Sequence, residues 1–290
     1  MNDSDEKLIC TGERVIEDAY RTSASTYLIY LFHIATYNFC RPYIEGKKVL
    51  DFGCGSGYGT HLLSKYCKEI TGVDISPEAV RFAVANYSND NLTYRRIADI
   101  QTTPLPYPDS FFDVVISFQV MEHIEHAEKY LSEIRRVLKN DGIVIIATPD
   151  RQSRLFPGQK PWNQYHVREY APEELRFLIQ RHFGHCELFG MTARDDLIRI
   201  ELKRTRLLRL MTWIFTFPGS PEGYRQFNLS LLKRLSRLVG SAYSQDRQEQ
   251  SKPVDYPFSV DDIVIAKNAE PSVNIVCVAE KSRVVLPEHS

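Results

Sequence analysis

The stretch Val49-Leu50-Asp51-Phe52-Gly53-Cys54-Gly55-Ser56-Gly57 decides how the rest of the chain is read. Its first half, Lys48–Phe52, is a short apolar run with the length of a buried parallel strand, and an acid precedes glycines at alternate positions. Such glycines let backbone pass close to a ligand where any side chain would collide. A helix starting near Tyr58 would then aim its unpaired N–H groups at a carboxylate. Dinucleotide sites space their glycines Gly-x-Gly-x-x-Gly, the third admitting a pyrophosphate. Counted from Gly53 that register meets Tyr58, and from Gly55 it meets Thr60. The turn therefore suits a ligand carboxylate better than a pyrophosphate. NAD binding, and with it an oxidoreductase, is the runner-up.

Outward from the turn, Ile70–Val73, Phe112–Phe118 and Ile143–Thr148 repeat the short apolar run, with helical signals between them. Ser76-Pro77-Glu78 offers a cap, a proline for the first helical position and an early acid. Leu131, Ile134 and Leu138 form a stripe with Gly142 as its expected stop, and Leu175, Leu178 and Ile179 form another after Pro172. Alternating strands and helices predict an α/β fold, a doubly wound and mainly parallel sheet. In such a sheet ligands sit at the carboxyl ends of the strands. Asp74 closes Gly72-Val73-Asp74 at that edge, where a carboxylate can accept from both hydroxyls of a ribose. Asp99 follows the expected third strand and can accept from an adenine amino group, with Ile75 and Ile100 flanking the ring. Asp113 lies at the start of its strand, away from that edge, and reads as structural.

The bulk properties narrow the class further. A chain of 290 residues that is 43% hydrophobic can bury a full core, and a net charge of -1 gives no broad field to hold nucleic acid. The six cysteines never fall at Cys-x-x-Cys spacing, so they read as free thiols in a reducing compartment rather than zinc ligands. The acidic, polar start lacks the regions of a signal peptide, and no apolar run approaches the ~20 residues of a membrane span. A cytoplasmic location is expected. Tyr27 to Tyr43 reads as one buried or half-buried helix stopped near Pro42. The expected organisation is an N-terminal helical lid over 1–45, a core over 46–193, a basic and aromatic helical insertion over 194–260, and a last strand, Asn274 to Ala279, with its tail over 261–290.

Taken in order, Leu50–Gly59, Gly72-Val73-Asp74, Asp99, Phe112–His123, Leu131–Thr148 and Asn163–Leu178 resemble the class I, Rossmann-like S-adenosylmethionine-dependent methyltransferases. The likeness is strongest to the broad group that modifies sugars, glycans and small metabolites. It implies a seven-stranded sheet whose last strand is antiparallel, and S-adenosylmethionine as cofactor. Asp51, Gly53, Gly55, Gly57, Tyr58, Asp74, Ile75, Asp99 and Ile100 become the expected cofactor residues. The resemblance adds Phe118 and Gln119 beside the methyl group, and a substrate-facing loop over Asn163–Tyr170 in which Tyr165 and Arg168 are expected to meet the acceptor. Thr11-Gly12-Glu13-Arg14, followed by His33 and Tyr37, is similar to a lead-in of the glycan group. That group carries arginine before the tyrosine, where this chain has Thr36. His33 and Tyr37 share one helix face, for a lid or for core packing.

The sulfonium of such a cofactor already makes its methyl group electrophilic, so the protein must align a lone pair and, for a hydroxyl, help remove its proton. His166, in the polar aromatic loop, ranks first as the base; a loop-bonding histidine is the plainer reading. His123 ranks second. Its segment, Gln119-Val120-Met121-Glu122-His123, is similar to the Glu-x-x-Glu-His metal pattern of quinone-pathway O-methyltransferases, but Gln119 replaces the first acid and no metal is expected. In the insertion, Arg199, Lys203, Arg204, Arg206 and Arg209 alternate with Leu207, Leu208, Leu210, Trp213, Ile214 and Phe215, and Leu231, Leu232, Leu235 and Leu238 follow. Such stretches cap an active site, pair two subunits or rest on a membrane surface. The expected reaction is O-methylation of a sugar or cell-surface glycan precursor, with a small aromatic or secondary metabolite as the alternative acceptor. A homodimer fits the insertion, and a cofactor-binding module without turnover is the non-catalytic rival.

Overall fold

The computed structural model describes Arg21, residues 23–244 and residues 255–281. The Thr11-Gly12-Glu13-Arg14 lead-in, Cys10, the remainder of the expected tail and part of the insertion lie outside these residues. Among the described residues eight strands form one sheet: β1 (Lys48–Phe52), β2 (Glu69–Asp74), β3 (Leu92–Arg96), β4 (Phe112–Phe118), β5 (Leu138–Pro149), β6 (Cys186–Ala193), β7 (Ile263–Ala266) and β8 (Asn274–Glu280). Their spatial order is β3-β2-β1-β4-β5-β8-β6-β7. The first five neighbours pair in parallel, while β8 runs antiparallel to both β5 and β6, and β7 antiparallel to β6.

The sheet has eight strands where seven are expected, and β7 is the addition. Its four residues, Ile263-Val264-Ile265-Ala266, are half-buried or exposed on the outer edge of β6. A strand covered on one side only needs no long apolar run, so it leaves a weak signal in sequence.

Side-chain alternation sends successive residues of the central strands to opposite faces. Leu50 and Phe52 of β1 join one core, with helices α5 (Ala127–Val137) and α7 (Pro172–Phe183). Val49 joins the other, with α1 (Ala24–Phe39), α3 (Tyr58–Ser64) and the start of α8 (Asp195–Thr216). Helix α4 (Pro77–Asn86) begins at the expected signal: Ser76 accepts from the Ala79 N–H at 3.2 Å, and Pro77 opens the helix. Leu131 and Ile134 of α5 are fully buried, and truncating either to alanine should cost about 2–5 kcal/mol.

Two boundaries differ from expectation. Gly142 is not the stop of α5, which ends at Val137; the chain turns directly into β5, and Gly142 lies inside that strand. The N-terminal helix ends at Phe39, and Arg41–Ile44 (α2) starts again with Pro42 in its first turn, where the missing N–H costs nothing. Asp113 is structural as expected: it accepts from the Lys48 N–H at 2.8 Å and Lys139 Nζ at 2.7 Å. The remaining helices are α6 (Arg151–Arg154) and α9 (Glu222–Ser244), the latter forming with α8 most of the expected insertion.

Candidate active site

A cleft of about 590 Å³ opens at the carboxyl ends of β1, β2 and β4. Gly53, Gly55, Tyr58, Asp74, Ile75, Asp99, Ile100, Phe118, Gln119, His123 and Tyr165 line it, together with His33 and Tyr37 from α1. Those strands end together because they pair in parallel, Asp51 opposite Gly72 and Ile116.

The turn after β1 is built for close approach. Gly55 adopts φ +54°, and a Cβ placed there would meet nothing within 4 Å, so its bare backbone faces open space. Gly53 has φ +86°, and a Cβ there would lie 2.2 Å from Val120 Cγ2. Asp74 is fixed at the edge by two backbone donors: Oδ2 accepts from the Gly55 N–H at 3.0 Å and Oδ1 from the Ser76 N–H at 2.8 Å. Each oxygen retains accepting capacity toward the cleft. Asp99 is held by the Gln101 N–H at 2.9 Å, with Ile75 and Ile100 on the same wall.

Asp51 does not line the cleft; it is buried beneath it. Its Oδ2 accepts from Thr60 Oγ1 at 2.6 Å and from the Tyr37 hydroxyl at 3.3 Å, while Oδ1 is buried with no hydrogen-bond partner among the described residues. Burial pushes the carboxyl up to about 7 in spite of the two donors. Tyr37 packs edge-on to Phe118, with ring centroids 5.0 Å apart, so α1 forms a wall of the cleft through the face that carries His33 and Tyr37. Gly57 is likewise off the cleft: at φ +84° it starts α3 and packs against Tyr94, whose hydroxyl donates to the Gly57 carbonyl at 2.6 Å.

Beyond β4 the backbone bends sharply. Gln119 takes φ +56°, a conformation unusual for a residue with a side chain, and its N–H donates to the Ala147 carbonyl at 2.8 Å. The single-turn helix Met121–His123 follows. His123 Nδ1 is 3.0 Å from the Tyr165 carbonyl. A carbonyl only accepts, so Nδ1 carries the proton in the neutral ring and Nε2 is the basic nitrogen.

The two histidines occupy different layers. His123 lines the cleft, while His166 lies buried behind it, ring centroids 4.9 Å apart and edge to face. His166 Nδ1 meets Glu169 Oε1 at 2.8 Å, and Glu169 also accepts from Arg154 Nε at 2.9 Å and Nη2 at 3.2 Å. Burial opposes the charge on Glu169, yet Arg154 and His166 outweigh it and hold the carboxyl at about 2. Glu122 is also fully buried, accepts from Thr148 Oγ1 at 3.0 Å, and is pushed upward by burial. One ligand atom each of Glu122, His123 and His166 lie within 4.8 Å of one another. Arg168 lies outside the cleft, its guanidinium over the Tyr170 ring at 5.1 Å and 3.9 Å from Glu174.

The sequence reading gave no ligand role to Phe52, Cys54, Ser56, Ser76, Ile97, Gln101, Val120 and Ile124, which complete the lining. All but Ile97, which lies two residues before Asp99, adjoin an expected site residue, so adjacency to the strand tips is the signal that finds them.

The bare turn and the carboxylates of Asp74 and Asp99 fit an adenosyl ligand, whose ribose hydroxyls and adenine amino group need such partners. A family model described as a methyltransferase domain matches residues 50–146. A "probable S-adenosylmethionine-dependent methyltransferase" of Mycobacterium tuberculosis is 33% identical over 196 residues, 65% of this chain and 67% of the relative. A fatty-acid O-methyltransferase of Mycolicibacterium smegmatis is 25% identical over 206 residues, 69% of each chain. Among solved structures, a methyltransferase from Thermotoga maritima covers 88% of this chain and 91% of its own at 14% identity, with a TM-score of 0.53 and thus a shared fold. The dinucleotide alternative falls with its glycine register: the chain belongs to the S-adenosylmethionine-dependent methyltransferases, with S-adenosylmethionine as its cofactor.

Proposed function

We propose that this methyltransferase acts on a hydroxyl oxygen of a sugar or glycan precursor, in the cytoplasm. The observation that carries the reading is the cleft lining, in which His33, Gln119, His123 and Tyr165 add hydrogen-bonding groups to the aromatic rings of Tyr37, Tyr58 and Phe118. A hydroxylated ring needs both, polar partners for its oxygens and flat apolar faces for its C–H edges. Curated relatives named for O-methylation, of a fatty acid and in ubiquinone biosynthesis, support oxygen as the acceptor atom. The five cysteines among the described residues are free thiols, in keeping with a reducing compartment.

The cofactor supplies the electrophilic methyl group. The chain's own residues then have two tasks. Asp74 and Asp99 would hold the adenosyl end, and the Gly53–Gly55 backbone would allow its close approach. His123 accepts the acceptor's proton at Nε2, since the Tyr165 carbonyl holds the proton on Nδ1. His166, one layer back, positions the loop that carries that carbonyl, and Glu169 with Arg154 fixes His166.

The test is transfer of a labelled methyl group from S-adenosylmethionine to a panel of nucleotide sugars and glycosides, beside fatty acids and catechols. A base-stable methyl ether on a sugar is expected; label confined to esters or aromatic rings would overturn the reading. His123→Ala should lower turnover by roughly 10²–10⁴-fold with S-adenosylhomocysteine affinity unchanged. A flat aromatic acceptor is the second reading, favoured by the Tyr37–Phe118 ring pair at the cleft wall.

A further inference from the structure

Helix α8 exposes an apolar stripe that the cleft does not use. Leu207, Leu210, Met211 and Ile214 follow i, i+3, i+4, i+7 spacing and are each more than half exposed, at 57%, 53%, 56% and 61%. The opposite face is buried through Glu201, Thr205, Thr212 and Thr216. On α9, Phe227 at 67% and Leu231 at 42% extend the apolar surface. Single exposed apolar residues are ordinary, but a four-residue stripe along one helix face, with two further large exposed apolar residues on the next helix, marks a contact surface.

Charge selects the occupant. From Leu202 to Pro221 the chain carries Lys203, Arg204, Arg206 and Arg209 and no acid. Arg204 is paired with Glu201, whereas Lys203 and Arg206 are exposed, each one turn before a residue of the stripe. A second copy docked symmetrically through this face would present the same cations and, from Leu202 to Pro221, no acid to pair with them. An anionic bilayer surface answers both properties: its headgroups attract the cations while its acyl boundary receives the stripe. No helix among the described residues is long and apolar enough to cross a membrane, so such contact would lie in the interface.

The two helices that carry this surface also contact the segment that leads to Tyr165 in the cleft. Gln159 Nε2 donates to Thr216 Oγ1 at 2.8 Å, Phe156 packs edge-on to Trp213, and Arg225 Nη1 donates to the Pro161 carbonyl at 2.7 Å. Gln226 Nε2 donates to the Gln164 carbonyl at 3.1 Å, directly before Tyr165. The helices that carry the stripe therefore hold the loop that lines the cleft.

We propose that the exposed face of α8 and α9 docks on an anionic membrane surface and sets the cleft against a hydroxylated acceptor displayed there. The docking rests on the helices alone; the nature of the acceptor rests on the glycan reading above. Flotation of the full chain with phosphatidylcholine vesicles, with and without one-quarter phosphatidylglycerol, separates the two, because no acceptor is needed.

Retention on the anionic vesicles, weakening with salt, is expected. Leu210→Glu with Ile214→Glu should abolish it while S-adenosylhomocysteine still binds. Lys203→Gln and Arg206→Gln should each lower partitioning roughly fivefold, the equivalent of about 1 kcal/mol per cation, and they test the proposal should the first pair fail to fold. Three results would overturn it: no retention on anionic vesicles, retention indifferent to both pairs, or a dimer split by the Leu210/Ile214 pair without vesicle binding.

Discussion

Glu169→Gln isolates the buried network that supports the substrate loop. The Glu169 side chain is fully buried, and those of Arg154 and His166 are 10% and 5% exposed. Glutamine keeps the shape but removes the charge that accepts from Arg154 at 2.9 and 3.2 Å and meets His166 at 2.8 Å. Arg154 would keep its charge, stacked on Trp162 at 4.3 Å, with no carboxylate in that pair. Breaking such a pair from one side costs about 3–5 kcal/mol. A carboxyl held at about 2 in place of 4.5 corresponds to a stabilisation of the same order, roughly 3 kcal/mol at neutral pH. The sign is that of a depressed acid, with the stabilisation complete above the unfolded value and lost as pH falls toward 2. Urea unfolding at pH 7 should show the full loss, and the gap between wild type and variant should close between about pH 4.5 and 2. Adding Arg154→Met should recover much of the loss, because no unpaired charge is then buried. A loss below about 1 kcal/mol at pH 7, the range of an exposed pair, would refute the network as a support.

Three further outcomes follow from the cleft. Asp74→Ala should weaken S-adenosylhomocysteine binding by about 3–6 kcal/mol, two charge-assisted hydrogen bonds of roughly 1.5–3 kcal/mol each; unchanged affinity by calorimetry would remove Asp74 from the site. Asp51 has the opposite titration sign from Glu169: its folded value is raised from 3.8 to about 7, so the ligand-free protein should lose stability as pH rises across that window, by at most about 4 kcal/mol. Asp51→Asn should flatten that slope in thermal unfolding, and a slope unaltered by the substitution would count against it. Gly53→Ala must place a methyl 2.2 Å from Val120 Cγ2 at φ +86°, so a loss of about 1–2 kcal/mol from the backbone alone is expected, along with weaker cofactor binding.

What the sequence displays and what it hides separate by distance along the chain. The glycine turn, Asp74, Ile75, Asp99, Ile100, Phe118 and Gln119 all sit at strand tips, and parallel pairing alone brings such tips to one edge. The wall contributed by α1 was half legible: the i, i+4 face of His33 and Tyr37 was visible, but its contact with Asp51 spans 14 residues and depends on how the helix packs. The order of the two histidines was not legible. Both stand in polar surroundings and differ only by depth, because the Val167 and Arg168 N–H groups donate to the Glu122 carbonyl and draw the loop over the Met121–His123 turn. That stitch leaves the Tyr165 carbonyl on His123 Nδ1 and turns His166 inward to Glu169. Which histidine lines the cleft thus follows from two backbone hydrogen bonds that no spacing rule encodes, and under the proposed mechanism the loss of His123 should be felt in turnover first.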